Sequence, residues 1–218
     1  DPKSAMSDGS NALTFAIHHG RFELIDGLIE AGCPLGTCLH AAASRGEASL
    51  AKRLLKRGAD PNAAERGFGF TPLSSAASRG DAAMIGILLD GGAEPDKADR
   101  NGQTPLDAAI MGGHGAAVRR LLDGGADPNR RRGKGDTPLT WAVMMGQAAI
   151  AKVLMERGAD VNAPGEGGLR PLAWAVGQGQ AKTAAMLLKA GADPNTEIAS
   201  RERHGHFADC PKGTTVLM

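Results

Sequence analysis

Two short clusters in this chain hold side chains that can bind a metal ion. Cys33 and Cys38 lie close to His40, and His204, His206 and Cys210 repeat the same ligand types near the other end. Zinc favours thiolate and imidazole, but a closed structural site takes about four such ligands and each cluster falls short of that number. The densest run of charge is Arg130-Arg131-Arg132-Gly133-Lys134. Guanidinium forks at a turn can grip phosphate or an acidic peptide, although a solvated loop has the same composition and needs no ligand. Catalytic patterns are missing: there is no Gly-x-Ser-x-Gly elbow, no glycine-rich phosphate loop ending in Lys-Ser/Thr, and no His-Glu-x-x-His pair. Gly112-Gly113-His114-Gly115 gathers glycines without a lysine, and acids such as Asp90 and Glu94 fall where charge is solvated. No enzymatic activity, cofactor or resident metal is expected.

The elements that carry these residues repeat. Thr71-Pro72-Leu73, Thr104-Pro105-Leu106, Thr137-Pro138-Leu139 and Arg170-Pro171-Leu172 start at intervals of 33 residues, and Thr37-Cys38-Leu39-His40 starts 34 before the first of them. Each runs to alanines, a glycine, a second apolar stretch and a Gly-Ala-Asp/Glu-Pro/Val-Asn/Asp ending, at Gly58, Gly92, Gly125, Gly158 and Gly191. A fixed period of this size means stacked supersecondary units, and function then lies on a surface.

Within one unit, Thr71 can accept from the free amides of a helix start, and Pro72 suits the first helical position because its missing donor costs nothing there. The helix carries Leu73, Ala76 and Ala77 on one face and stops at Gly80 after barely two turns. A second helix follows with a stripe such as Leu50, Ala51, Leu54 and Leu55, or Val118, Leu121 and Leu122. Helices shorter than about 12–15 residues are marginal alone in water, so each must bury its face on a neighbour.

With these features the chain resembles the ankyrin-repeat family. Thr37-Cys38-Leu39-His40-Ala41-Ala42 is similar to that family's Thr-Pro-Leu-His-x-Ala pattern, with Cys38 in the proline slot, and the likeness runs from about Asn11 to Asn195. It implies an all-α solenoid of helix–turn–helix units with projecting β-hairpin loops, whose short first helices line a concave face. It also implies that His40 hydrogen-bonds locally with Thr37, which weighs against the first zinc reading. About six repeats are expected near 11–36, 37–70, 71–103, 104–136, 137–169 and 170–195, after a lead over 1–10. An insertion over 196–212 and the opening of a seventh repeat over 213–218 complete the expected organisation. The array is read as one domain. Its first unit reaches the next after only 26 residues, and its Gly32 to Gly36 connection is too short for a hairpin, as befits a terminal cap. Asp1-Pro2-Lys3-Ser4-Ala5 reads as a tag remnant ahead of Met6, and the unfinished C-terminal end leaves either a fragment or a stub covering the last repeat.

Composition narrows the partner. A net charge of +1 disfavours nucleic acid and anionic membrane, which need a strong basic excess or face. No run of about 18 apolar residues is available to span a bilayer. Three cysteines in irregular positions point to a reducing, cytoplasmic setting. The expected partner is another protein or peptide, held by a monomer whose unfinished C-terminal end leaves a route to self-association.

The resemblance implies that contact falls on hairpin tips and on the ends of the first helices. Tip residues are then Arg66, Phe68 and Phe70; Arg100, Asn101 and Gln103; Lys134 and Asp136; Glu166 and Leu169. Helix-end residues are His18, His19, Ser44, Arg45, Ser78, Arg79, Met111, Met144, Met145 and Gln178. The expected binding set is Arg45, Arg66, Phe68, Phe70, Arg79, Arg100, Gln103, Met111, Lys134, Met144, Met145, Leu169 and Gln178. Phenylalanines at a turn and flexible methionines suit an adaptable apolar groove, although the same residues can pack on a neighbouring loop or fill gaps. The groove is centred on the third to fifth repeats and is expected to take a short extended or helical segment. Trp141 and Trp174 face the seam between repeats and are assigned to the core. Two other roles remain open: a targeting or regulatory module of a larger enzyme, and capture of phosphate or an acidic ligand by Arg130 to Lys134.

Overall fold

The computed structural model describes residues 11–132 and 135–195. The expected lead over 1–10, Lys134, the 196–212 insertion with its His204, His206 and Cys210, and the seventh opening over 213–218 lie outside the described residues.

Twelve α-helices and no strand occur among the described residues. They run in pairs, the second helix the longer in all but the first: α1 (Ala12–His18) and α2 (Ile25–Glu30), α3 (Cys38–Arg45) and α4 (Ala48–Lys56), α5 (Pro72–Ser78) and α6 (Ala82–Asp90), α7 (Pro105–Met111) and α8 (Gly115–Asp123), α9 (Pro138–Met144) and α10 (Ala148–Glu156), α11 (Pro171–Gly177) and α12 (Ala181–Lys189). Short 3₁₀ turns sit at Phe22–Leu24 and Glu166–Gly168. Contacts group the chain into two compact units divided between Ala126 and Asp127, where the one-domain reading drew no boundary. In the first unit α3 packs on α1 and α5, α5 on α7, and α6 on α4 and α8. In the second, α9 packs on α11 and α10 on α12.

Thr-Pro sets each helix start. Thr71, Thr104 and Thr137 are extended, at ψ of 162°, 165° and 159°, and each side chain accepts from the amide three residues on. Ser74 and Asp107 return the bond to the cap residue's own amide. Proline excludes the helical region for the residue before it, so Pro72 and its equivalents hold the threonine in cap geometry as well as tolerating the first turn. Thr37 shows the converse. With Cys38 following, it sits at φ −92°, ψ −1° and its side chain makes no cap bond. Arg170 keeps the extended backbone before Pro171 but sends its guanidinium 3.1 Å to Asp193.

The short helices end where left-handed glycine turns the chain. At Gly80, φ is +71° and an added Cβ would lie 2.6 Å from the His114 ring, so the position is closed to a side chain twice over. Leu73, Ala76 and Ala77 are buried as the helical face requires, and Leu50, Ala51 and Leu54 of α4 likewise. Trp174 is buried, while Trp141 is half-buried. Unit endings are tied to one another by asparagine. Asn62 donates to the Gly92 carbonyl and accepts from Glu94 N at 2.8 Å; Asn162 does the same with Gly191 and Asp193. Asn129 joins Gly158 and Asp160 in this manner within the second unit.

Candidate partner-binding surface

The loops of the first unit fold back as hairpins, each closed by one backbone bond. Glu65 N donates to the Phe70 carbonyl at 2.9 Å, and Asp99 N to that of Gln103 at 2.9 Å. One bond per loop is too little ladder to make a strand. The acid at the base of each loop supplies the remaining order. The Glu65 carboxylate accepts from Gly67 N at 2.6 Å, Gly69 N at 2.8 Å and Phe70 N at 3.4 Å. Partial burial works to raise its pKa, but the amides that favour the charged form outweigh it, and the carboxyl is held below its usual range. Asp99 Oδ1 accepts from Asn101 N and Gln103 N in the next loop.

Successive loops are also fastened together. Arg100 N donates to the Phe68 carbonyl at 3.0 Å, and Gly69 is buried at φ +81° with the Arg100 side chain 3.1 Å from where a Cβ would stand. A side chain at Gly69 would be strained by the positive φ and would press on Arg100. Phe68 and Phe70 flank it. Their rings meet at a tilt of 35° with centroids 5.6 Å apart, and they remain 63% and 37% exposed.

Below the rings lies a groove of about 440 Å³. Phe70, Ala108 and Met111 make its apolar wall; Ser44, Ser74, Ser75 and Ser78 its hydroxyl-bearing floor; Arg79, Asp99 and Gln103 its rim. It spans the second to fourth repeats, one repeat earlier than expected. Met111 is 46% exposed, with Gln103 Nε2 3.0 Å from its sulfur. His40 supports the groove from behind. Its ring stands 3.5 Å from the Ser75 hydroxyl and hydrogen-bonds the Phe70 backbone. Burial lowers its pKa; the Glu65 charge and the Phe70 bond oppose the shift, and the His18 charge adds to it.

Other expected contact residues fare unevenly. Arg66, Arg79 and Arg100 are exposed at the loops and helix end. Arg45 is exposed but donates to the His18 carbonyl at 3.0 Å and lies 4.0 Å from Glu47, so part of its reach is taken up in bracing the preceding repeat. Gln178 in the second unit is exposed and donates to the Met144 carbonyl at 3.3 Å. Met145 is 49% exposed and Met144 half-buried. Leu169 corrects the expectation: it is 1% exposed, turned inward beside the bond from Gly165 N to its own carbonyl, and offers nothing to a partner.

The first metal cluster is part of the core. Cys33 and Cys38 are buried and not joined by a disulfide, and Cys38 Sγ contacts the Pro34 carbonyl and the Thr14 hydroxyl, each at 3.5 Å. Burial raises the Cys38 pKa, the Thr14 bond lowers it and Cys33 raises it further, leaving a thiol disposed to stay protonated. Among the described residues no three His, Cys, Asp or Glu side chains are grouped to hold an ion. In the arginine run, Arg130 and Arg131 are exposed, and Arg131 donates to the Gly135 carbonyl at 3.4 Å.

Comparison with known proteins places the chain. Residues 39–132 and 117–198 match the family profile described as ankyrin repeats, in three copies. The chain belongs to the ankyrin-repeat family. Among solved structures it is similar to the ankyrin repeat domain of Bcl-3, described as a unique member of the IkappaB protein family. The identity is 26%, the coverage 88% of this chain and 90% of that one, and the TM-score 0.79. No match is found among curated proteins. Ankyrin repeats in general are protein–protein interaction modules, and no helix among the described residues is long and apolar enough to cross a membrane.

Proposed function

We propose that the chain is a protein-recognition module that grips a segment of its partner on the groove and loop tips of the first unit, with no catalysis of its own. The observation that carries this reading is the exposed Phe68–Phe70 pair, borne on a loop bonded to its neighbour, with Phe70 lining a groove. Aromatic side chains held on a rigid frame gain contact area on binding at small entropic cost, and a flexible methionine beside them adapts to the shape of what is bound. Arg79, Arg100, Gln103 and Met111 border the same surface, and Arg66 stands on the loop that bears the rings. Met144, Met145 and Gln178 give the second unit a smaller set of the same kind. The reading favours a cytoplasmic adaptor acting as a monomer. It holds equally for a free-standing scaffold and for the targeting module of a larger enzyme.

The test is affinity capture with the full chain and with a Phe68→Ala/Phe70→Ala/Met111→Ala variant. Partners retained by the first and lost by the second, with helical circular dichroism unchanged, support the reading. Equal retention by both would remove the groove from the account.

A further inference from the structure

Charge on the groove's border is sorted by sign. Both loops carry an acid that accepts from its own backbone: Glu65 uses its two oxygens on Gly67, Gly69 and Phe70 amides, while Asp99, which lines the groove, uses Oδ1 on Asn101 and Gln103 and leaves Oδ2 buried without a hydrogen-bond partner. The next acid along the chain from Arg79 is Asp81, whose Oδ1 caps α6 at Met84 N. Asp107, at the start of α7, is buried in its capping box. Arg79 and Arg100 are exposed and form no ion pair among the described residues; Arg79 lines the groove with its guanidinium near Gly46, where Asp81 Oδ2 also lies, and the Arg100 stem rests against Gly69 beside the ring pair. A partner approaching this surface therefore meets aromatic rings, a methionine, serine hydroxyls, the Gln103 amide and two guanidinium groups with no ion-pair partner, against one lining carboxylate, Asp99, that is bonded through Oδ1 to its own loop, although the whole chain is balanced at +1.

We infer that the groove selects an acidic segment with an apolar anchor: a leucine-, isoleucine- or phenylalanine-like side chain seated between Phe70 and Met111, with a carboxylate within a few residues to meet Arg79 or Arg100. This rests on the recognition role proposed above and adds the chemistry of the partner. Guanidinium forks match carboxylates in geometry as well as charge, and the apolar wall excludes water from one side of such a pair, which strengthens it. The apolar wall and hydroxyl floor favour a peptide over a polyanion, since a phosphate backbone would leave the rings and Met111 uncovered. Nucleic acid and anionic lipid become outcomes of the test.

A random peptide library displayed on phage is selected on the full chain, and the enriched peptides are synthesised and titrated. The inference expects winners that combine Asp or Glu with a nearby apolar anchor. It expects their affinity to fall about tenfold or more on Arg79→Glu/Arg100→Glu and to weaken with added salt. Reversing the peptide's own acid to lysine should restore binding to the double variant. Enrichment of neutral or basic peptides, or indifference to the double variant, would overturn the acidic preference while leaving the recognition role standing. Enriched peptides that ignore Phe68→Ala/Phe70→Ala/Met111→Ala would overturn both. Stronger binding of single-stranded DNA or of phosphatidylserine vesicles than of any acidic peptide would also overturn it.

Discussion

His40 joins the hydrophobic seam of the second repeat to the loop that bears the two displayed rings. Its imidazole is buried enough for the neutral form to be favoured, and the groups that face it are Glu65, His18, the Ser75 hydroxyl and the Phe70 backbone. A folded-state pKa below the unfolded value means the unfolded chain binds the proton more readily, so stability rises with pH across the interval between the two. The contribution is whole above the ordinary histidine value of 6.5 and is lost as pH falls below it toward the lowered folded value. Urea unfolding of the wild type between neutral and mildly acidic pH should show a decline that His40→Gln lacks; parallel curves for the two proteins would contradict this placement of the ring. Glu65 acts at the same scale and with the opposite chemistry, since it must stay ionised to hold the loop amides.

At the scale of the element, the helix starts were legible because threonine, proline and leucine report directly on backbone geometry. The second slot is the instructive exception. Cys38 N donates to the Leu35 carbonyl at 3.1 Å, and Thr37 lies in a helical conformation that proline after it forbids. Cys38→Pro would match the repeat pattern and still lose that bond while forcing Thr37 to turn over, so it should destabilise by more than about 1 kcal/mol in chemical denaturation. A gain in stability would show that the local pattern outweighs the observed contacts. What the sequence concealed are links between repeats. Asn62, Asn129 and Asn162 stand in the sequence only as the last residues of the Gly-Ala-Asp-like endings, yet each bonds the ending of the following unit, a partner some thirty positions away that no local window contains. Leu169 was misplaced for a related reason. Its number in the period marks a tip, but whether a tip side chain turns inward depends on the loop's own closure.

For the molecule as a whole, period and composition made the class of fold readable, and the absence of a catalytic pattern directed attention to the surface. The location of the groove was only partly readable. Phe68, Phe70, Arg79, Gln103 and Met111 were all marked from their positions, but the acids that order the loops, Glu65 and Asp99, passed unnoticed although they stand 34 residues apart in successive units. That recurrence was the available signal. The account's central claim is that these ordered loops and the short helices beneath them are where a partner sits. Hydrogen–deuterium exchange on the full chain, alone and saturated with a selected peptide, tests it directly. Binding should slow exchange in residues 65–70, 74–79 and 99–103 and leave the outer helices α4 and α6 unchanged; protection confined to α4, α6 and α8 would contradict it.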